Sequence, residues 1–106
     1  MKTFEDLEFT AHPMAMGLDG VISRIMFENG FGASVVKHQY SYGGDRGLYE
    51  LAVLDSNGEL HYDNPVANGD VVGYLRPEDV TDVMIKIQEL PKKDTDERYN
   101  EDGYFA

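Results

Sequence analysis

The sequence predicts an α+β fold, an antiparallel β-meander of four or five strands with one C-terminal helix packed on one face. Three observations predict it. Two runs rich in β-branched and aromatic residues, 21–28 and 31–40, are separated by an Asn-Gly pair, the strongest short-range signal of a β-hairpin. A third such run, 48–54, follows a glycine-rich break and extends the hairpin into a meander. An apolar stripe with helical spacing begins after Pro77.

The predicted hairpin turns at Asn29-Gly30, and we expect a two-residue type I′ turn with positive φ at both residues. Alternation within each strand assigns side chains to the two faces of the sheet. In the first strand one face carries Val21, Ser23, Ile25 and Phe27. In the second strand one face carries Phe31, Ala33 and Val35. The third run is apolar on both faces, which is typical of a central strand covered on both sides.

Weaker patterns predict the remaining strands and turns. Residues 7–11 alternate apolar and polar side chains, a weak strand pattern. A second Asn-Gly turn, 55–58, is expected to lead into a short strand over 59–62. Residues 63–69 are predicted to be a loop because they contain a proline and a third Asn-Gly pair. The short apolar run 71–75 is predicted to be an edge strand or a tight approach to the element that follows.

The clearest helix starts at Pro77, since proline suits the first helical position, where its missing N–H would be unpaired. Arg76 is a poor N-cap residue, so Asp79 is expected to share the capping role. Apolar residues recur at helical spacing and form one stripe: Val80, Val83, Met84, Ile87 and Leu90. Pro91 ends the helix. The stripe is expected to pack on the sheet.

We expect one folded domain over residues 1–91 and a flexible acidic tail over 92–106, which is too polar to bury itself. The chain has 20 acidic and 9 basic residues and a net charge of −11, most of it in the predicted domain. Such a surface disfavours direct contact with nucleic acid or a membrane, and it suits a basic partner. The same charge also serves solubility alone, and the sequence leaves both interpretations open.

Cysteine is absent, which excludes disulfides, thiolate metal sites and a cysteine nucleophile. A small secreted domain often needs disulfides, so their absence favours the cytoplasm. The N-terminal residues include acidic side chains where a signal peptide has an apolar run, and no apolar stretch approaches the roughly 20 residues of a membrane span. We therefore predict a cytoplasmic protein.

The sequence contains no catalytic motif, and we predict no cofactor. The three histidines lack the spacing of a metal-binding pair. A metal site of two histidines and one carboxylate would require His38 and His61 to face each other across the sheet beside Asp63. Surface strand positions explain these residues as well. The turn at 55–58 resembles the start of a calcium loop but lacks the distal glutamate, so we predict a hairpin turn there.

The glycine-rich segment Tyr42–Gly47 is the most suggestive loop in the sequence. Its glycines would allow backbone N–H groups to approach an anion, but the segment precedes a strand and matches no phosphate-binding motif. Tyrosines cluster around it, and glycine-rich loops beside tyrosines are typical of tips that contact a protein partner. The predicted partner-binding residues are Tyr40, Tyr42, Asp45, Arg46 and Tyr49, although a plain connecting loop explains the segment as well.

Three segments share their pattern with a known group of proteins: Phe27-Glu-Asn-Gly-Phe-Gly-Ala-Ser-Val-Val36, Tyr42-Gly-Gly-Asp-Arg-Gly-Leu-Tyr-Glu-Leu-Ala-Val-Leu-Asp55 and Val71-Val-Gly-Tyr-Leu75. In these segments the chain resembles small proteins of tailed bacteriophages and prophages that have no assigned function. The resemblance covers most of residues 20–91 and excludes the tail. It implies a bacterial cytoplasm during infection or lysogeny and an accessory role, and it carries over no catalytic residue.

Together these observations predict a non-enzymatic, phage-type accessory protein that binds a host protein through its acidic, tyrosine-rich surface. A basic, nucleic-acid-binding protein is the natural target, because the acidic surface would compete for its DNA or RNA site. Two alternatives stay open. One is a small metal- or ligand-dependent enzyme that uses His38, His61 and Asp63, and the other is a structural dimer module.

A homodimer is expected if one face of the sheet stays uncovered. A single helix covers one face only, which leaves an apolar patch on the other: Ile22, Met26, Val36 and Leu54. Two copies would bury these patches through a two-fold axis. The segment Leu7–Met16 provides the alternative, since it would instead fold over the patch and leave a monomer.

Overall fold

The computed structural model describes residues 1–11, 20–61, 64–67 and 71–91. In these residues five strands form one antiparallel sheet and one α-helix packs on it, so the predicted α+β fold is confirmed. The strands lie in chain order across the sheet. The elements are β1 (Thr10–Ala11), β2 (Val21–Met26), β3 (Gly32–Lys37), β4 (Tyr49–Leu54), β5 (Val72–Leu75) and α1 (Pro77–Gln88), with short 3₁₀ helices at Phe4–Asp6 and Gly44–Arg46.

The turn between β2 and β3 is not the type I′ turn that the Asn-Gly pair predicts. A type I′ turn needs a positive φ at both Asn29 and Gly30. Gly30 has φ of 92°, but Asn29 does not have a positive φ, since Tyr74 is the only described non-glycine residue that has one. The Gly30 N–H donates to the Phe27 carbonyl (3.1 Å), and the Phe27 N–H donates to the Phe31 carbonyl (2.8 Å). The loop therefore has three residues, a type I turn followed by a left-handed glycine bulge.

This extra loop residue sets which side chains reach the core. With the observed loop Ile25 pairs with Ala33, and Ser23 pairs with Val35. A two-residue loop would shift the pairing by one position and place Met26 opposite Ala33. Because neighbours in register share a face, the observed turn puts the apolar faces of both strands on the same side of the sheet.

The helix packs on this side and completes the hydrophobic core. The predicted stripe is confirmed: Val80, Met84 and Ile87 are fully buried, and Val83 and Leu90 are partly buried against them. The sheet contributes Ala33, Val35, Leu51 and Val53, each at most 1% exposed. Full burial of one such aliphatic side chain contributes about 1.5–3 kcal/mol, so this layer dominates the stability of the fold.

Asp79 caps the start of α1, as predicted. Its Oδ2 atom accepts hydrogen bonds from the backbone N–H of Arg76 (3.0 Å) and from the Arg76 Nε–H (3.2 Å). The backbone hydrogen bond is the main cause that lowers the pKa of Asp79, and the side-chain hydrogen bond is the main cause that raises the pKa of Arg76. The carboxylate is thus held in its charged form at the positive end of the helix.

Asn29 joins the β2–β3 turn to the end of α1. Its Nδ2 group donates to the carbonyls of Ile87 (2.8 Å) and Leu90 (3.1 Å), and its Oδ1 accepts from the Phe31 N–H (3.2 Å). The Ile87 carbonyl also accepts from the Leu90 N–H (3.1 Å), and Leu90 itself lies just beyond the last residue of α1. One side chain therefore bonds two carbonyls at the end of the helix and fixes the hairpin against it.

The predicted strand over 59–62 is confirmed only as a short pairing with β4. Leu60 forms an antiparallel bridge with Leu54, flanked by hydrogen bonds from the Asp55 N–H to the Glu59 carbonyl (2.7 Å) and from the His61 N–H to the Val53 carbonyl (2.8 Å), and residue 62 lies outside the described residues. The pairing is short because of Asn64, whose Nδ2 donates to the His61 carbonyl (2.8 Å) and removes that carbonyl from a strand ladder. The Asn64 Oδ1 accepts from two backbone N–H groups further along the chain, those of Val66 and Ala67, and so closes a turn.

Two other predictions are confirmed in a shorter or partial form. Residues 7–11 contain a strand of only two residues, β1, while Leu7 and Phe9 pack against the core. The run 71–75 contains the edge strand β5.

The predicted tail over 92–106 lies outside the described residues. In the described part of the chain no helix has the length and apolar character needed to cross a membrane.

The opposite face of the sheet carries the predicted apolar patch, with one correction. The strand register places Ile22 beside Val36 and aligns Met26, Gly32 and Leu54 on this face. Met26 is 45% exposed, but Leu54 is only 1% exposed and so does not belong to an open patch. Self-association through this face stays a prediction.

Candidate protein-binding surface

The connection between β3 and β4 is a compact loop closed by its own hydrogen bonds. Gly43 and Gly47 adopt left-handed φ values of 89° and 76° and flank the 3₁₀ helix Gly44–Arg46. The buried Ser41 closes the start of the loop, because its Oγ donates to the His38 carbonyl (2.9 Å) and accepts from the His38 N–H (3.0 Å). These bonds define the path of the backbone on both sides of the glycines.

Hydrogen bonds within the loop and to the adjoining strand use most of the amides that an anion site would need. The N–H groups of Gly44, Arg46 and Gly47 donate to loop carbonyls at 2.9–3.0 Å. The Leu48 N–H donates to the Gly43 carbonyl (3.0 Å), and the Tyr42 N–H donates to Oε1 of Glu50 (2.8 Å). A phosphate cradle needs several N–H groups aimed outward together. The observed arrangement fixes the loop and does not favour the anion-binding alternative.

The loop also packs backbone-to-backbone against β5. The Tyr74 N–H donates to the Tyr42 carbonyl (3.1 Å). A Cβ atom on Gly43 would lie 2.9 Å from the Cα of Tyr74, and a Cβ on Gly73 would overlap the Cβ of Tyr42. Real Cβ atoms do not approach so closely, so glycine is required in both segments for this contact. As a result Tyr42 and Tyr74, distant in sequence, become neighbours.

Tyr74 has a strained backbone that the sequence did not reveal. Its φ is 59°, in the left-handed region that costs a bulky residue about 1–2 kcal/mol. It lies in a β-bulge, since Tyr49 pairs with Leu75 whereas Leu51 pairs with Val72. A glycine inside a strand often marks a bulge, so Gly73 was a signal for this one in the sequence. Strain of this kind persists at functional positions where the surrounding structure imposes it.

The bulge and the loop together present three tyrosines to solvent. Tyr40 is 79% exposed, and Tyr42 and Tyr74 are each 56% exposed. Asp45 and Arg46 are exposed in the same loop. We call these five residues the tyrosine surface: Tyr40, Tyr42, Asp45, Arg46 and Tyr74. Four of them are among the predicted partner-binding residues, and Tyr74 is an addition.

The fifth predicted partner-binding residue, Tyr49, lies elsewhere. Its ring packs against the core on the helix side of the sheet, with ring centroids 5.2 Å from Phe4 and 5.5 Å from Phe9. The Lys37 Nζ lies 4.9 Å from the centre of the same ring. Tyr49 begins β4 directly after the loop, and its place in the strand turns the side chain toward the core. The structure does not bring it to the tyrosine surface.

The two histidines of the metal-site alternative are far apart, so that geometry is wrong. His38 follows the last residue of β3, whereas the His61 ring contacts Phe31, which precedes the first residue of β3, at 5.4 Å. Six strand residues separate the two ends by about 20 Å. Asp63 lies outside the described residues. Among the residues that are described, no group of three His, Cys, Asp or Glu side chains is placed to hold a metal ion.

A cleft of about 670 Å³ lies at the other end of the molecule, between the N-terminal residues, the β2–β3 turn and α1. Its amide side chains are engaged in holding the fold. The Gln88 Nε2 donates to the Lys2 carbonyl (2.8 Å) and the Met84 carbonyl (3.1 Å), while its Oε1 accepts from the Lys2 N–H (2.9 Å). Asn29 is bound to the helix end as described above. The charged lining residues Asp6 and Glu28 are exposed to solvent.

Acidic side chains are prominent on the described surface. Ion pairs between described side chains join Arg76 to Glu78 (3.7 Å) and to Asp79 (3.2 Å). Exposed carboxylates beside one another on the 3₁₀ helix and α1 include Glu5, Glu78 and Asp82, which line one shallow groove. The groove therefore carries acidic side chains from both elements that line it.

Comparisons with protein-family models, curated proteins and solved structures gave no match for this chain. The resemblance to bacteriophage proteins therefore stays a prediction from sequence pattern.

Proposed function

We propose that this chain is a non-enzymatic accessory protein of the bacteriophage type that binds a bacterial host protein through the tyrosine surface. The observation that carries the proposal is the presentation of Tyr40, Tyr42 and Tyr74 on a backbone fixed by internal hydrogen bonds and close glycine contacts. The protein acts by occupying a surface of its partner, and no bond is made or broken.

Tyrosine on a rigid support is well suited to this role. The side chain offers a large apolar ring and one polar group, and it loses little conformational entropy on binding because it has few rotatable bonds. Aromatic residues and arginine are enriched among the residues that dominate binding energy at interfaces. Three exposed tyrosines next to Arg46 thus provide the anchors of a small interface.

The negative charge supports a basic partner. A net charge of −11 accelerates association with a positively charged surface and disfavours acidic competitors. Proteins that bind nucleic acid present such surfaces, so the acidic chain would compete with DNA or RNA for them. In this scheme the tyrosine surface supplies specific contacts and the charge supplies long-range attraction.

Capture from bacterial lysate by the immobilised full chain tests the proposal. The wild-type bait is compared with the double variant Tyr40→Ser/Tyr42→Ser. Both tyrosines are exposed, so the two substitutions should lower the stability of the fold only slightly. The matched control is Leu60→Ser, which removes another exposed apolar side chain, 48% exposed, outside the tyrosine surface. We expect a protein that the wild type and the Leu60→Ser variant retain and the double variant loses.

The same experiment at low and high salt separates the two parts of the proposal. A basic partner is retained less well at high salt, because screening shortens the reach of charge interactions. Capture that is independent of salt would rule out the charge-based part. Equal capture by the double variant and the wild type would rule out the tyrosine surface.

A further inference from the structure

Two Asn-Gly pairs in the described residues form turns with the same backbone geometry. Gly30 and Gly58 have φ of 92° and 79°. The Gly30 N–H donates to the Phe27 carbonyl (3.1 Å), and the Gly58 N–H donates to the Asp55 carbonyl (2.9 Å). Asn-Gly is the dipeptide most prone to lose its side-chain amide, because glycine has no Cβ to shield its backbone nitrogen. The two turns thus provide a matched pair within one molecule.

The two asparagine side chains are held very differently. The Asn29 carboxamide donates to the carbonyls of Ile87 and Leu90 and accepts from the Phe31 N–H. Asn57 is exposed, and within the described residues only its backbone N–H is hydrogen-bonded, to the Asp55 Oδ1 at 2.8 Å. Its carboxamide is therefore able to rotate, whereas that of Asn29 has to break three hydrogen bonds first.

We propose that Asn57 is a site of spontaneous deamidation in the folded protein and that the fold protects Asn29 from the same reaction. The Gly58 nitrogen loses its proton and attacks Cγ of Asn57, so that an N–Cγ bond forms, the Cγ–Nδ2 bond breaks and ammonia leaves. Water then opens the five-membered succinimide at either carbonyl and yields aspartate or isoaspartate. The net reaction consumes one water, releases one ammonia and involves no oxidation or reduction.

The modification changes the molecule at one defined point. A neutral exposed amide becomes a carboxylate, so each event makes the chain more negative by one charge. Isoaspartate also inserts a methylene group into the backbone of the turn. That insertion displaces the N–H groups of Asn57 and Glu59, both of which donate to the Asp55 Oδ1 (2.8 and 3.0 Å). The reaction is independent of the proposed function, since Asn57 lies outside the tyrosine surface.

Incubation of the full chain in mildly alkaline buffer, followed by peptide mapping, tests the proposal. Digestion at mildly acidic pH with a protease that cleaves after glutamate suppresses further reaction and separates the two sites into peptides 29–50 and 51–59. We expect conversion at Asn57 to be at least about tenfold faster than at Asn29, which corresponds to a barrier difference of about 1.4 kcal/mol. The variant Asn57→Gln is expected to abolish conversion in peptide 51–59.

The chain unfolded in urea is the control, because it exposes both dipeptides equally. There the two sites are expected to convert at similar rates. Equal rates in the folded protein, or a faster reaction at Asn29, would overturn the proposal. A rate difference that persists in urea would also overturn it, since sequence and not the fold would then be the cause.

Discussion

The two ends of the sheet are held by different kinds of contact. At the β2–β3 end one polar side chain, that of Asn29, donates to two helix carbonyls and so ties the hairpin to α1. At the β3–β4 end the backbone of the glycine loop lies directly on β5, with Gly43 and Gly73 at the points of closest approach. The first arrangement joins elements of the core. The second shapes an exposed surface.

This difference shows where the molecule carries a conformational cost. The Asn29 contacts add side-chain hydrogen bonds to two carbonyls at the end of α1, so they stabilise the fold. At the β3–β4 end, the non-glycine residue Tyr74 has a backbone in the left-handed region and is 56% exposed. A residue that is both strained and exposed contributes little to folding. Its position is better explained by the surface that it helps to form.

The largest effect is expected from Gly44→Ala. A Cβ atom at this position would overlap the carbonyl oxygen of His38, a backbone atom that is held in place by Ser41. The loop has to shift, and we expect a loss of about 3 kcal/mol in unfolding free energy. Gly47→Ala is the matched control, because a Cβ there meets nothing within 4 Å and the cost of about 1 kcal/mol comes from its φ of 76° alone. Urea unfolding of both variants measures the difference, and equal losses would contradict the close packing at Gly44.

A smaller loss is expected from Asn29→Ala at the opposite end. The substitution leaves the Ile87 and Leu90 carbonyls without their side-chain donor, and a loss of about 2 kcal/mol follows. Asn57→Ala, in the equivalent turn position, is expected to change the unfolding free energy by less than about 0.5 kcal/mol. If Asn29→Ala is as mild as Asn57→Ala, the side chain does not tie the hairpin to the helix.

Tyr74→Gly is expected to act in the opposite direction. Glycine adopts a φ of 59° without steric cost, so relief of the strain should raise the unfolding free energy by about 1 kcal/mol. The same change removes one anchor of the tyrosine surface and should weaken partner capture. A stabilised variant with reduced capture would separate function from stability at this residue. A destabilised variant would show that the ring contributes more to the fold than the strain costs.

The smallest effect is expected at the helix start, from Asp79→Asn. The hydrogen bond from the Arg76 N–H lowers the pKa of Asp79, so its charged form stabilises the fold above the usual carboxyl range and this contribution is lost as pH falls through the lowered pKa. The variant should therefore be less stable than wild type at neutral pH and equal to it in acid. Thermal unfolding across pH, with Asp82→Asn as control, checks this. A difference that is constant with pH would contradict the assignment.

The sequence was sufficient for the central strands β2, β3 and β4, for α1 and for most of the core, because periodicity reports directly on burial. The stripe from Val80 to Leu90 and the alternation in β2 and β3 each predicted the buried face. The turn type was not predictable, since Asn-Gly is compatible with both a two-residue turn and a three-residue turn with a glycine bulge. Only the need to place Ile25 and Ala33 on one face selects the longer loop.

The candidate site was predictable only in part, because tertiary contacts and strand positions decide which side chains meet there. Glycines and tyrosines near residue 42 predicted a partner-facing loop, and proximity in sequence grouped Tyr49 with it, whereas its strand position directs the ring to the core. Tyr74 was missed because its link to the loop is a tertiary contact through Gly43 and Gly73. Likewise His38 and His61 are separated by the length of β3, which spacing in the sequence does not show.

Amide hydrogen exchange in the free protein tests most directly whether the glycine loop is a preorganised surface. We expect the N–H groups of Gly44, Leu48 and Tyr74 to exchange at least about a hundredfold more slowly than in an unstructured peptide, because each donates to a backbone carbonyl at 3.0–3.1 Å. Such protection would mean that the exposed tyrosines are held in place before any partner arrives. Exchange of these three amides at the unprotected rate, while the core strands stay protected, would show that the glycine loop is not preorganised.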